Sequence, residues 1–199
     1  MESALSQGVY DLPEDLVDFR GTIRQIVDEK VRPRAAEIDA SGEYPQDIRR
    51  LFGENDILAL PFAEQYGGTG TGTLMLQIAV EEIAKACASS ALILMVQELG
   101  SLPITLFGSD EQKERLLPRL ATGEISPAFA LSEPEAGSDP SAMRTFAVQD
   151  GDEWVINGAK NWITNATIAD YYVVFAKTDR ETNRITAFIV EADRPGFAP

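Results

Sequence analysis

Two short segments in the second half of the chain could bind a planar, carbonyl-bearing ligand. The first is Ser132–Asp139 (SEPEAGSD), in which Pro134 and Gly137 predict a tight turn and small residues allow a ligand close to the backbone. Its serine hydroxyls and exposed amides would donate neutral hydrogen bonds to a ring carbonyl or a pyrophosphate. An ordinary acidic β-turn is the alternative, and the spacing alone does not decide between the two.

The second segment is Asn161–Asn165 (NWITN), which follows a predicted strand and turn. Trp162, two residues before Thr164, could present a flat face and a hydroxyl to the same planar ligand. Taken alone, the tryptophan is better explained as a core residue, because large aromatic side chains usually serve packing.

A glycine-rich stretch at 66–72 (YGGTGTG) invites a phosphate-binding interpretation. It does not match G-x-G-x-x-G, no Lys-Ser/Thr pair follows it, and no predicted strand precedes it. We therefore expect a connecting loop in which the glycines serve turns.

Composition narrows the chemistry further. The absence of histidine excludes Ser-His-Asp and Cys-His nucleophiles and most zinc sites, so no metal site is expected. Acid–base work would then fall to carboxylates, lysine, tyrosine or a bound cofactor. A net charge of −15 argues against a nucleic-acid partner, which would require clusters of basic residues.

Location is suggested by three further features. The single cysteine, Cys87, permits no internal disulfide, which favours a reducing compartment. The N-terminal sequence has neither the basic nor the apolar region of a secretory signal. The longest apolar run, at 91–96, is too short to cross a bilayer, so no membrane partner is expected. These features together predict a cytoplasmic protein.

The elements that would position the two segments divide the chain in half. Helical spacing of apolar residues runs through most of the first half, with Pro33 expected to kink or end the first helix. After Gly123 the pattern changes to short strands rich in β-branched and aromatic residues. The predicted fold class is α+β: an all-α helical bundle domain at 1–123, then an antiparallel β-barrel or sheet domain at 124–199. The predicted strands are 125–131, 145–149, 153–156, 171–177 and 185–191.

Together the two segments resemble the acyl-CoA dehydrogenase family. Residues 130–142 (ALSEPEAGSDPSA) and 157–165 (NGAKNWITN) fit two of its flavin-binding motifs, in the family's order. The stretches 108–113 and 117–123 are similar to the family's linker into its β-domain. The likeness covers nearly the whole chain, and several spaced motifs carry it.

The resemblance implies roles for individual residues. Trp162 would stack against the flavin of FAD, Thr164 would bind near its hydride-accepting nitrogen, and Ser138 would serve both the flavin and the CoA thioester. The central helix around 91–100 would line the acyl pocket, with Leu94 and Met95 as substrate contacts. The implied FAD-binding set is Phe129, Leu131, Ser132, Gly137, Ser138, Trp162, Ile163 and Thr164.

The implied activity is FAD-dependent α,β-dehydrogenation of an acyl-CoA, with electron-transfer flavoprotein as partner and a homo-oligomeric dimer or tetramer as the assembly. In the family a glutamate base comes from a C-terminal helical domain that this sequence lacks. Glu133, Glu135 and Glu153 do not match the base position, so the chain is expected to be truncated and to carry no catalytic residue of its own. The alternatives are an acyl-CoA oxidase or flavin monooxygenase of the same fold, or a non-catalytic partner subunit or split fragment.

Overall fold

The first half of the computed structural model is helical, and the second half is built on one sheet. The structure describes residues 11–199, so residues 1–10, which carry most of the argument against a secretory signal, lie outside the described residues. The helices are α1 (Glu14–Ile26), α2 (Ala35–Ser41), α3 (Gln46–Glu54), α4 (Gly72–Ala84), α5 (Ala88–Phe107) and α6 (Asp110–Ala121). The strands are β1 (Pro127–Ala130), β2 (Phe146–Asp150), β3 (Glu153–Asn157), β4 (Tyr171–Lys177) and β5 (Ile185–Glu191).

Local sequence explains where the helices begin and end. Glu14 and Asp15 lie in the first turn of α1, where negative charge interacts favourably with the helix dipole. Beyond α1 the chain continues as a π-helical turn at Val27–Val31 and a 3₁₀ turn at Arg32–Arg34, which contains Pro33. The proline thus falls at a change of helix type, since it cannot donate the interior hydrogen bond of an α-helix.

Helix α5 is the centre of the helical half. It packs against α4, α6 and β1, and its buried Gln97 donates a hydrogen bond to the carbonyl of Leu120 at 2.5 Å. At Gly100 a Cβ atom would lie 2.6 Å from the Cβ of Pro127, so the missing side chain allows α5 to approach β1. This approach places the second half of α5 beside the start of β1.

By length and composition, α5 is also the one helix within residues 11–199 that could cross a membrane. Its 20 residues extend well beyond the apolar run at 91–96 on which the sequence argument was based. Half of its apolar window is buried inside the protein. That burial is the property of a core helix.

The sheet is mixed, which corrects the expectation of an antiparallel one. β4 pairs with β5 antiparallel and β2 pairs with β3 antiparallel, but β1 runs parallel to β4, and β2 meets β4 in parallel at a single residue pair. Parallel neighbours need a long connection, and the chain supplies one between residues 131 and 170. That connection contains both segments singled out from the sequence.

The glycine-rich stretch at 66–72 forms a loop, as predicted. Backbone hydrogen bonds from Gly68 to Ala63, from Thr69 to Ala59 and from Gly70 to Phe62 fold it back on the chain before it. A Cβ atom at Gly68 would lie 2.0 Å from the carbonyl oxygen of Phe62. The absence of a side chain at Gly68 therefore allows the loop backbone to pack against the backbone of Phe62.

Candidate functional site

A half-open pocket of about 270 Å³ lies where α5, the end of β1 and the long connection meet. This is slightly below the roughly 300–1,000 Å³ of typical small-molecule sites, so it suits one end of a larger ligand. Apolar side chains dominate its lining, and two hydroxyls provide polar groups. The lining residues are Val96, Leu99, Phe129, Leu131, Ser132, Trp162, Ile163 and Thr164.

Six of the residues predicted to bind the cofactor lie together in this lining: Phe129, Leu131, Ser132, Trp162, Ile163 and Thr164. The other two, Gly137 and Ser138, are exposed on the turn and lie outside the lining.

The predicted substrate contacts on α5 are placed differently. Leu94 is fully buried in the helical core and does not line the pocket, which corrects its assignment as a substrate contact. Met95 lies on the exposed side of α5, with 48 % of its surface accessible, and it is also outside the lining. Val96 and Leu99 line the pocket instead. These two apolar side chains are therefore the part of α5 that faces the pocket.

The first wall of the pocket is formed by Leu131 and Ser132, which lie between β1 and the tight turn that follows it. Glu133 and Ala136 exchange two backbone hydrogen bonds, of 2.9 and 3.1 Å, across Pro134 and Glu135. Asp139 then accepts a hydrogen bond from the amide of Ser141 at 2.9 Å. The turn is therefore as defined as its proline and small residues predicted.

The second wall is the loop that carries Trp162. The tryptophan is 91 % exposed and has a left-handed backbone, with φ of 61°. For a bulky residue this conformation is strained. Asn165 also has positive φ, at 69°, and its side-chain amide donates to the carbonyl of Pro127 at 3.2 Å. Trp162 is thus held away from the core, which removes the alternative that it is a core residue.

A buried ion pair lies behind the two walls. The ammonium of Lys160 lies 2.7 Å from the carboxylate of Glu133, and both side chains are less than a tenth exposed. Burial raises the pKa of Glu133, but hydrogen bonds from Lys160, Thr145 and Arg144 outweigh it and lower the pKa to about 2. Burial lowers the pKa of Lys160, and Glu133 opposes that shift.

This pair was missed from the sequence. Lys160 and Glu133 are 27 residues apart, and neither spacing nor composition indicates that two such residues meet in the interior.

No carboxylate is among the lining residues. Glu133 is committed to Lys160, Glu135 is exposed and paired with Arg144, and Glu153 is exposed on β3. Within the residues that the structure describes, no cluster of His, Cys, Asp or Glu could hold a metal ion. The arrangement can therefore bind and orient a flat ligand with hydrogen-bonding edges, but the lining holds no group that would act as a carboxylate base.

Comparison with known proteins identifies the class of protein that this fold and site define. The model of the acyl-CoA dehydrogenase N-terminal domain matches residues 13–124, and that of the acyl-CoA dehydrogenase middle domain matches residues 128–199. The chain therefore belongs to the acyl-CoA dehydrogenase family.

Individual relatives agree with the family assignment. The short-chain specific acyl-CoA dehydrogenase of Clostridium acetobutylicum is 41 % identical over 192 residues, which cover 95 % of this chain and 51 % of the relative. A glutaryl-CoA dehydrogenase from Mycobacterium smegmatis, solved with FADH2, matches with a TM-score of 0.88 and 37 % identity, covering 94 % of this chain and 48 % of that one. A chain in a structure of the electron transferring flavoprotein of Acidaminococcus fermentans gives a TM-score of 0.89 at 36 % identity, covering 95 % and 50 %.

The 199-residue chain spans about half the length of these relatives.

Proposed function

We propose that this chain forms the flavin- and thioester-binding part of an FAD-dependent acyl-CoA dehydrogenase that passes electrons to an electron-transfer flavoprotein. The observation that carries the proposal is the convergence of Ser132, Trp162 and Thr164 on one pocket. The relative solved with FADH2 and the match to a chain in an electron transferring flavoprotein structure support the cofactor and the partner.

The residues present fit a flavin. An isoalloxazine ring needs an aromatic or apolar face to stack on and neutral hydrogen-bonding groups at its edge. Trp162 supplies an uncovered face because it is 91 % exposed, and Ser132 and Thr164 supply hydroxyls in the same pocket. When bound there, FAD would accept the hydride that leaves the substrate's Cβ atom.

The chain's own residues would bind, orient and shield the reactants. Trp162 would hold the plane of the ring, and Thr164 and Ser132 would fix its edge by hydrogen bonds. Val96 and Leu99 would keep water from the acyl chain and form the beginning of an acyl pocket. Ser138, exposed on the turn, would contact the thioester, as the resemblance to the family implies.

Removal of the Cα proton needs a base, and the lining provides none. The base would then come from residues outside this lining, as the resemblance to the family implies. We further propose a cytoplasmic location and a homo-oligomer for the complete protein, supported by the single cysteine and by the family membership.

A steady-state assay on the complete natural polypeptide tests this function. The protein should copurify with FAD and oxidise a saturated acyl-CoA when an artificial electron acceptor is supplied. Rapid peroxide formation with O₂ alone would establish the acyl-CoA oxidase instead. Tight FAD binding without turnover on short, branched or long acyl-CoA substrates would favour a non-catalytic partner.

The Ser138→Ala variant tests the thioester contact in the same assay. It should raise KM for acyl-CoA and leave the fold unchanged. An unaltered KM would remove Ser138 from the substrate site.

A further inference from the structure

We propose that Lys160 and Glu133 are positioning residues: their buried ion pair fixes the two walls of the pocket relative to each other, and so sets how the pocket holds a flat ligand. The inference rests on the proposed function only for the identity of that ligand. The geometry of the pair supports it independently.

Glu133 joins the first wall to the sheet. Its carboxylate accepts hydrogen bonds from the backbone amides of Arg144 and Thr145, at 2.6 and 3.1 Å. These two amides directly precede β2. The glutamate also belongs to the tight turn, since its own backbone pairs with Ala136. One side chain thus ties the turn to a strand.

Lys160 joins the second wall to the first. Its ammonium donates to the Glu133 carboxylate at 2.7 Å and to the carbonyl of Leu131 at 3.0 Å. The next residue, Asn161, donates its backbone amide to the carbonyl of Ser132 at 2.9 Å. Three hydrogen bonds therefore join residues 131–133 to residues 160–161.

These hydrogen bonds flank the residues that line the pocket. Leu131 and Ser132 lie on one side of the junction, and Trp162 follows two residues after Lys160 on the other. Because a trans peptide points its carbonyl and N–H in opposite directions, the bond from Lys160 to the Leu131 carbonyl also directs the Ser132 N–H away from the lysine. The pair therefore determines the orientation of the Leu131–Ser132 peptide as well as the spacing of the walls.

If the ion pair served stability alone, apolar residues of similar volume could replace it. Replacing a buried ion pair with apolar residues of similar volume is often neutral or favourable for stability, whereas its hydrogen bonds fix one arrangement. Here the hydrogen bonds reach a pocket-lining peptide and the loop of a strained tryptophan. The location of the pair thus favours positioning.

The test compares Lys160→Met, Glu133→Gln and the double variant in the complete natural polypeptide. The control is Glu135→Gln, which removes another carboxylate of the same turn. The Glu135 side chain is 58 % exposed and pairs with Arg144. For each protein we would measure FAD affinity, the visible absorption spectrum of bound flavin, thermal unfolding and local hydrogen–deuterium exchange.

The single variants should weaken FAD binding about 10- to 100-fold, the range found when residues that orient the ligands of a metal site are replaced. Their flavin spectra should shift, and exchange should rise at 131–133 and 160–165 more than elsewhere. The double variant should unfold at a higher temperature than either single variant, since no charge is left buried alone, yet still bind FAD weakly. The control should match the wild type.

Two results would overturn the inference. One is a double variant that binds FAD with the affinity and spectrum of the wild type, since the pair would then serve stability alone. The other is exchange that rises uniformly across the protein in the single variants. If the wild type itself binds no FAD, the proposed function fails, while the exchange measurement still decides whether the pair positions the walls.

Discussion

Truncation of Trp162 should affect ligand binding and leave folding nearly unchanged. The side chain is 91 % exposed, so Trp162→Ala removes almost no buried surface from the protein alone. We expect its free energy of unfolding without cofactor to change by less than about 0.5 kcal/mol, as for exposed sites in general. Stacking of an aromatic base on a side chain contributes about 1–3 kcal/mol by alanine substitution. Applied to a flavin, that range predicts an FAD dissociation constant raised about 5- to 150-fold.

Two further variants divide the effect into its parts. Trp162→Phe keeps a smaller aromatic face and should give an intermediate FAD affinity. Trp162→Gly removes the face and also relieves the left-handed backbone strain at φ of 61°, which is about 1–2 kcal/mol for a non-glycine residue. Isothermal titration with FAD and chemical unfolding of the cofactor-free protein provide both measurements. An FAD affinity within twofold of wild type in Trp162→Ala would refute the stacking assignment, and a large loss of stability would show that the side chain packs against the protein.

Two more predictions concern the helical half. Hydrogen bonds from Arg24, with a contribution from Lys85, hold the pKa of Glu82 at about 2, against an ordinary value of 4.5. Because a depressed pKa stabilises the fold above pH 4.5, this stabilisation of about 1–3 kcal/mol after screening by solvent should be lost as the pH falls from 4.5 through 2. Glu82→Gln should flatten that part of a stability–pH curve. Leu94→Ala should cost about 2–5 kcal/mol of stability, since the Leu94 side chain is fully buried. Leu99 is 45 % exposed, so Leu99→Ala should cost less stability and instead alter acyl-CoA preference. Equal losses of stability in the two variants would contradict the assignment of faces on α5.

Local sequence predicted the elements well because their causes are local. Ser109 caps α6: its hydroxyl accepts a hydrogen bond from the amide of Gln112, and the Gln112 side chain accepts one from the amide of Ser109. The strands at 171–177 and 185–191 begin and end where predicted. The parallel pairing of β1 with β4 was not predicted, since it depends on contacts between residues more than 40 positions apart.

Local sequence indicates the position of some candidate site residues better than others, for a physical reason. Ser132 begins a turn marked by Pro134 and Gly137, and Trp162 follows a turn signal at 157–158, so local sequence places both in the connections that follow strands. Leu94 and Leu99 lie on a helix that is apolar on most sides, so composition could not show which face meets the pocket. They are separated by about 140° around the axis, given 3.6 residues per turn, and only the packing of α5 against its neighbours places one in the core and the other in the lining.

The charges of this chain explain why its pocket suits binding more than proton transfer. A carboxylate that acts as a base must be near the ligand and free to take a proton. Glu133 is near but is held ionised by Lys160 and by two backbone amides, and Glu82 is held in the same state by Arg24 and Lys85 in the helical half. Both carboxylates serve to fix structure, which leaves the lining neutral. A neutral lining would not penalise an uncharged ring such as the proposed flavin, and under the proposed function the base would come from outside this lining.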